Sequence, residues 1–197
     1  MATFYLIRHA HNDYVDKAIA GWTPGVSLNA EGREQAGRLA WKLLGCGITR
    51  LYSSPLERAL QTAGPIAEAL GLKVEVRDAL GEIRFGEWTG KRLEDLDRDP
   101  RWRLFHQYRS GTRPPGGESY AQVAARLEDW IASLDSDTFA VSHGATTRIL
   151  RGLLLGLDAA AMSALDEPQG VVFRVRGREV VQLPVTGAAL SNPRPMG

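Results

Sequence analysis

Segments of strand length alternate with amphipathic stretches along nearly the whole chain, and that alternation leaves few architectures open. Phe4 to Ile7, Arg50 to Ser53, Lys73 to Val76 and Thr138 to Ser142 read as strands. Between them, Asn29 can cap a helix striped by Ala36, Leu39, Ala40, Leu43 and Leu44. A second helix runs from Pro55 to about Leu70, closed by Gly71, with Ser54 as cap and Glu57 completing a capping box. Tyr120, Val123, Leu127, Ile131 and Leu134 mark a third, another begins near Gly144, and a short one spans Ala159 to Leu165. Two further β segments, Val171 to Val175 and Glu179 to Leu183, flank a turn at Arg176 and Gly177. Strands alternating with helices predict an α/β fold, a three-layer αβα sandwich around a mainly parallel sheet.

The pattern loosens from Ile83 to Gly117, where Phe85, Trp88, Trp102, Phe105 and Tyr108 stand among many arginines and the loop GTRPPGG follows. This stretch predicts a helical and loop insertion over the carboxyl edge of the sheet, lid-like in placement. It carries Lys91 and seven arginines against five acidic residues, enough local positive charge to draw an anionic phosphoester. It holds no recognised nucleic-acid-binding motif. Trp22, Arg84, Trp88, Arg109 and Arg113 are candidate specificity residues.

A chain of 197 residues accommodates one domain with a substantial core, here expected over 1–187, with a loose tail over 188–197. The 24 basic and 23 acidic side chains nearly cancel, so no global charge recommends a nucleic-acid or membrane partner. Cys46, the only cysteine, reads as a small loop residue that cannot form an intrachain disulfide, which points to a reducing, cytoplasmic setting. The first residues enter a strand, so a signal peptide is not expected. No apolar run reaches the roughly 18 residues of a membrane span. Monomer and homodimer both stay open.

Chemistry gathers where strands end. In FYLIRHAH the apolar run stops on Arg8 and His9, and in an α/β sheet ligands bind at the carboxyl ends of strands. Arg58 lies in the first turns of the second helix, whose side chains tilt back toward that edge. His143 leaves the strand of FAVSHGATTRIL just as Gly144 opens a helix. Two arginines and two histidines at one edge exceed what a core tolerates unpaired, and a shared phosphate resolves the excess. Glu82, in ALGEIRFGEWTG, could then protonate a leaving oxygen.

Taken in order, RHA, GVSLNAEGREQA, SSPLERALQTA, LGEIRFGEWTG, GGES and VSHGATTR resemble the histidine phosphatase superfamily, also called phosphoglycerate mutase-like, from about Thr3 to Leu157. The resemblance implies that His9 is the nucleophile that becomes phosphohistidine. It makes Arg8, Arg58 and His143, with His9, the phosphate pocket, and Glu82 first the general acid and then the base. It implies no metal and no cofactor, and a small phosphomonoester as substrate.

Three rivals remain. His9 and His11 form an HxH pair that some metal hydrolases place at a first strand end, but no further ligands stand at recognisable spacing. A phosphoglycerate-type phosphomutase would share the phosphohistidine step, yet that branch usually has asparagine, arginine and asparagine where this chain has Val15, Ile83 and Ala145. The third is a catalytically silent phosphoester-binding module, against which all five expected catalytic residues stand. The expectation is therefore a metal-independent phosphatase. His11 is expected at the pocket edge or facing solvent.

Overall fold

The computed structural model describes residues 2–109, 111–169 and 171–184. The tail expected over 188–197 lies outside the described residues. Six strands, β1 (Thr3–Arg8), β2 (Arg50–Ser53), β3 (Val74–Val76), β4 (Thr138–Ser142), β5 (Val171–Arg176) and β6 (Glu179–Pro184), form one sheet in the order β3-β2-β4-β1-β5-β6. The pairings of β3 with β2, β2 with β4 and β4 with β1 are parallel, whereas β5 and β6 join antiparallel at one edge. The parallel strands therefore deliver Arg8, Ser53 and Ser142 to the same sheet edge.

Both faces are covered, which explains the near-continuous apolar character of the central strands. Phe4 and Leu6 of β1 point to one side, where they pack with Val123, Leu127 and Trp130 of α5 (Tyr120–Ala132) and Ile149 and Leu150 of α6 (Gly144–Leu155). Tyr5 and Ile7 point to the other, against Leu39 and Ala40 of α1 (Ala30–Lys42) and Ala59, Ala63 and Ile66 of α2 (Glu57–Leu70). The sequence reading of an αβα sandwich holds. Among the described residues no helix is long and apolar enough to cross a membrane.

Several local expectations need correction. The capping box at α2 does not form: Ser54 Oγ accepts from Leu56 N–H and sits 2.7 Å from His143 Nε2, while Glu57 accepts from Gly25 N–H at 2.9 Å. With its expected cap engaged elsewhere, α2 begins at Glu57 instead of Pro55. Leu44 lies beyond α1 and is exposed, outside the apolar stripe. Arg176 closes β5, so the hairpin turn falls on Gly177 and Arg178. Cys46 is in a loop as expected, but buried against the α1–α2 side of the core.

The insertion folds into two short helices, α3 (Leu93–Leu96) and α4 (Pro100–Gln107), with Asp99 capping α4 through Arg101 N–H. Its aromatic residues make a compact cluster. Trp88 is 0% exposed, edge-on to Trp102 at 5.2 Å and to Phe105 at 5.5 Å between ring centroids. Such edge-to-face packing is how aromatic side chains fill a core. Tyr108 alone of the five named aromatics stays exposed.

Candidate active site

A cavity of ≈ 330 Å³ opens at the carboxyl ends of the parallel strands, lined by Arg8, His9, Arg58 and Glu82, with the insertion forming its outer wall through Phe85, Leu93, Trp102, His106 and Arg109. His9 leaves β1 still tied to β4, its N–H donating to Ser142 O at 2.9 Å. The two histidine rings lie 5.1 Å apart between centroids, both buried.

Each ring has one nitrogen engaged. His9 Nδ1 sits 2.8 Å from Ala10 O, a carbonyl that can only accept, so Nδ1 carries the proton and Nε2 keeps its lone pair. Burial, then the Arg58 charge, pushes the His9 pKa down to about 3, which keeps the ring neutral. His143 is held well below its ordinary value by burial and then by Arg58. Ser54 Oγ accepts from Leu56 N–H and can give its own proton to His143 Nε2, the tautomer in which the ring proton stands on the unpartnered Nδ1.

Arg58 Nη2 donates to Gly21 O at 2.7 Å and Arg8 Nη1 to Glu167 O at 2.6 Å. Arg58 Nε and Nη1, Arg8 Nε and His143 Nδ1 are buried without a partner. Burial lowers both arginine pKa values, opposed by the Glu82 charge, but a guanidinium in this setting remains cationic. Buried unpaired donors are expensive, so four in one place point to a ligand that accepts from all of them. Gly144 lies close by, since a Cβ there would stand 3.4 Å from Arg8 Nε, in ordinary contact with the guanidinium.

Glu82 is held from several directions. Its Oε1 accepts from Ile83 N–H at 2.9 Å and Thr146 N–H at 3.3 Å, and lies 3.1 Å from Thr146 Oγ1. The loop before it is clamped by Arg126, which reaches the carbonyls of Ala79 and Gly81, and by Ser142 Oγ on Leu80 O at 2.6 Å. Trp22 Nε1 donates to the Glu82 carbonyl at 2.6 Å.

The family model for the histidine phosphatase superfamily (branch 1) matches residues 4–179. The chain belongs to the histidine phosphatase superfamily. It is 32% identical to the protein named "Probable phosphoglycerate mutase GpmB" of Escherichia fergusonii over 189 residues, 91% of this chain and 86% of that protein. It is 31% identical to a bifunctional protein of Mycobacterium tuberculosis over 86% of this chain, but spans only 46% of that protein's length. Among solved structures, mycobacterial glucosyl-3-phosphoglycerate phosphatase with VO3 superposes at a TM-score of 0.81, 30% identical, covering 93% of this chain and 96% of that one. Alpha-ribazole phosphatase from Shigella flexneri also gives 0.81, at 26% identity over 95% of this chain and 98% of that one.

Within this histidine phosphatase superfamily fold the specificity candidates separate. Arg109 lines the cavity. Trp88 does not, being a core residue, and Arg113 is exposed away from the cavity lining. Arg84 is exposed and stacks 4.1 Å over the Trp22 ring, and that pair sits behind the Glu82 backbone, outside the cavity lining. His11 sits at the start of α1, 2.9 Å from Asn29 Nδ2, outside the cavity lining. No group of three or more His, Cys, Asp or Glu side chains among the described residues could hold a metal.

Sequence reasoning missed several residues of the site. Asn12 lines the cavity with its Oδ1 fixed by Tyr14 N–H at 2.9 Å and its Nδ2 buried without a partner. The polar run after His9 was a signal for it. Ser54 entered as a helix cap, not as the partner of His143. Arg148 and Glu167 also line the cavity, and no local pattern marks either one.

Proposed function

We propose that this histidine phosphatase superfamily member is a metal-independent phosphomonoester hydrolase that acts on a small phosphorylated metabolite through a phosphohistidine. The observation that carries the reading is the convergence of four unpartnered buried donors, Arg8 Nε, Arg58 Nε and Nη1, and His143 Nδ1, around a neutral His9. In the first step His9 Nε2 attacks phosphorus, forming a P–N bond as the ester P–O bond breaks, and Glu82 gives a proton to the departing oxygen. In the second, Glu82 takes a proton from water, whose oxygen attacks phosphorus and displaces His9. Arg8 and Arg58 neutralise the charge on the non-bridging oxygens in both steps, and the neutral His143 donates a hydrogen bond to them.

A phosphomutase is the reading that the name of the E. fergusonii relative suggests. Against it, Val15 and Ala145 line the cavity with apolar groups where the mutase pattern places asparagines, and Ile83 is fully buried in the core. A hydroxyl acceptor retained for transfer would find few polar contacts there, which favours water. The insertion wall acts as a lid, and Arg109 with Arg148 meets the leaving group.

The deciding experiment offers the protein a generic aryl phosphate with EDTA present, and repeats it with His9→Ala. Phosphate release that survives EDTA and disappears with His9→Ala is the expected result. Loss of release with EDTA returns the metal hydrolase, and interconversion of phosphoglycerates without net phosphate release returns the mutase.

A further inference from the structure

After α7 (Ala159–Ala164), residues 165–167 form a short strap whose Glu167 lines the cavity, and three arginines hold its consecutive carbonyls. Arg148 Nε donates to Leu165 O at 2.7 Å, Arg151 Nη2 to Asp166 O at 2.6 Å and Arg8 Nη1 to Glu167 O at 2.6 Å. The first two arginines come from α6, the helix that follows His143, and the third ends β1. The direction of the Arg8 guanidinium therefore depends on where the strap places one carbonyl.

The residue that owns this carbonyl sends its side chain inward. The Glu167 carboxylate is 1% exposed and lies 3.2 Å from Arg151 Nη2, itself 3% exposed. The Arg151 guanidinium in turn stacks 3.9 Å over the Phe173 ring of β5. Neither carboxylate oxygen receives a hydrogen bond. An ion pair so deeply buried and so sparsely hydrogen-bonded is a poor source of stability, so its position needs another explanation.

We propose, on the reading of Arg8 as a phosphate-binding group, that Glu167 is a positioning residue whose carboxylate, locked to Arg151, sets the strap so that its carbonyl aims Arg8. Nη1 is thereby occupied and Nε left for a phosphoryl oxygen. The charged groups facing Glu167 are Arg151 and Arg148 from α6, Arg8 from β1 and Asp166 beside it in the strap. Burial outweighs the arginines and pushes the Glu167 pKa up to about 7. The lock is accordingly closed when the carboxylate is ionised and loosens as pH falls through that value.

Binding of inorganic orthophosphate to the whole chain, measured calorimetrically for the wild type and Glu167→Gln from about pH 5.5 to about pH 8.5, tests this. The amide keeps the volume and removes only the charge. At the alkaline end Glu167→Gln should bind orthophosphate about tenfold more weakly, with KM for an aryl phosphate rising more than kcat falls. The ratio between the two proteins, in which the titration of orthophosphate itself cancels, should shrink toward one in acid, where the wild-type side chain is also neutral. In an Arg8→Ala background, Glu167→Gln should have no further effect. A ratio that stays constant with pH, or additive losses in the double variant, overturns the proposal while leaving the phosphatase reading intact. A wild type that neither binds orthophosphate nor releases it from an ester sinks both. Should Glu167→Gln fail to fold, Arg151→Gln opens the same lock from the other side and must reproduce the loss of orthophosphate affinity.

Discussion

His9 Nδ1 lies 2.8 Å from the carbonyl oxygen of Ala10, its own neighbour in the chain. The contact fixes the tautomer without any help from another element, because the chain leaves β1 after Arg8 and the Ala10 carbonyl faces the ring. Nε2 is then the ring nitrogen that keeps its lone pair, and the proposed nucleophile. His9→Ala should lower kcat by more than about 10⁴-fold, since the covalent step has no substitute. Rapid acid-free quenching followed by mass spectrometry should find phosphate on His9 in the wild type during turnover. Phosphate trapped on the His9→Ala protein would remove His9 from the role.

The same burial makes His9 a source of acid sensitivity. Its ordinary pKa of 6.5 applies to the unfolded chain, whereas the folded value is pushed down to about 3. Between those values the unfolded state binds more protons than the folded state, so folding stability must fall as pH drops from 6.5 toward 3. His143, lowered for the same first reason, acts in the same direction. Melting temperature followed from neutral pH into acid should fall more steeply for the wild type than for His9→Asn. Parallel curves would mean that His9 is not buried neutral in the folded protein.

How much of this was readable beforehand differs between kinds of residue. Arg8, His9, Arg58, Glu82 and His143 each sit where an element begins or ends or beside a glycine, so periodicity located them, and the order of their motifs joined them. Ser54 was visible as a polar residue before a helix, but only the parallel alignment of β2 beside β4 reveals that it faces His143. Trp88 and Trp22 looked alike in sequence, two aromatics near charged residues. One filled the core and the other braced the Glu82 backbone, a difference set by packing between segments far apart in the chain. Glu167 had no signature, because its significance lies in arginines 16 and 159 residues away.

Those two tryptophans should separate in the laboratory. Trp88→Ala empties the centre of the insertion's aromatic cluster and should cost about 3–5 kcal/mol of stability, read from urea unfolding. Trp22→Phe keeps a ring under Arg84 but deletes the N–H that holds the Glu82 carbonyl. Its melting temperature should stay near that of the wild type while kcat falls about tenfold and KM changes little, the pattern of a displaced acid. Equal effects of Trp22→Phe on kcat and on stability would make Trp22 a packing residue and no more.

Asn12 offers the sharpest test of where the phosphoryl group sits. Its amide cannot be reversed without losing the bond from Tyr14 N–H to Oδ1, so Nδ2 is the free group of a side chain that lines the cavity together with Arg8 and His9. That donor is buried and unpartnered, and a phosphoryl oxygen would satisfy it. Asn12→Asp preserves the acceptor for Tyr14 but replaces the donor with a negatively charged oxygen, whereas Asn12→Ser keeps a neutral oxygen for Tyr14 N–H and withdraws the donor, its shorter hydroxyl ending a bond short of the Nδ2 position. Inhibition by orthovanadate should weaken about tenfold for Asn12→Ser, the worth of one hydrogen bond to a charged group, and clearly more for Asn12→Asp, where like charges meet. The two variants should melt close together, because both retain the turn. If Asn12→Asp binds orthovanadate as well as Asn12→Ser does, the amide faces the leaving group instead of the phosphoryl oxygens, and the pocket is completed by the arginines and His143 alone.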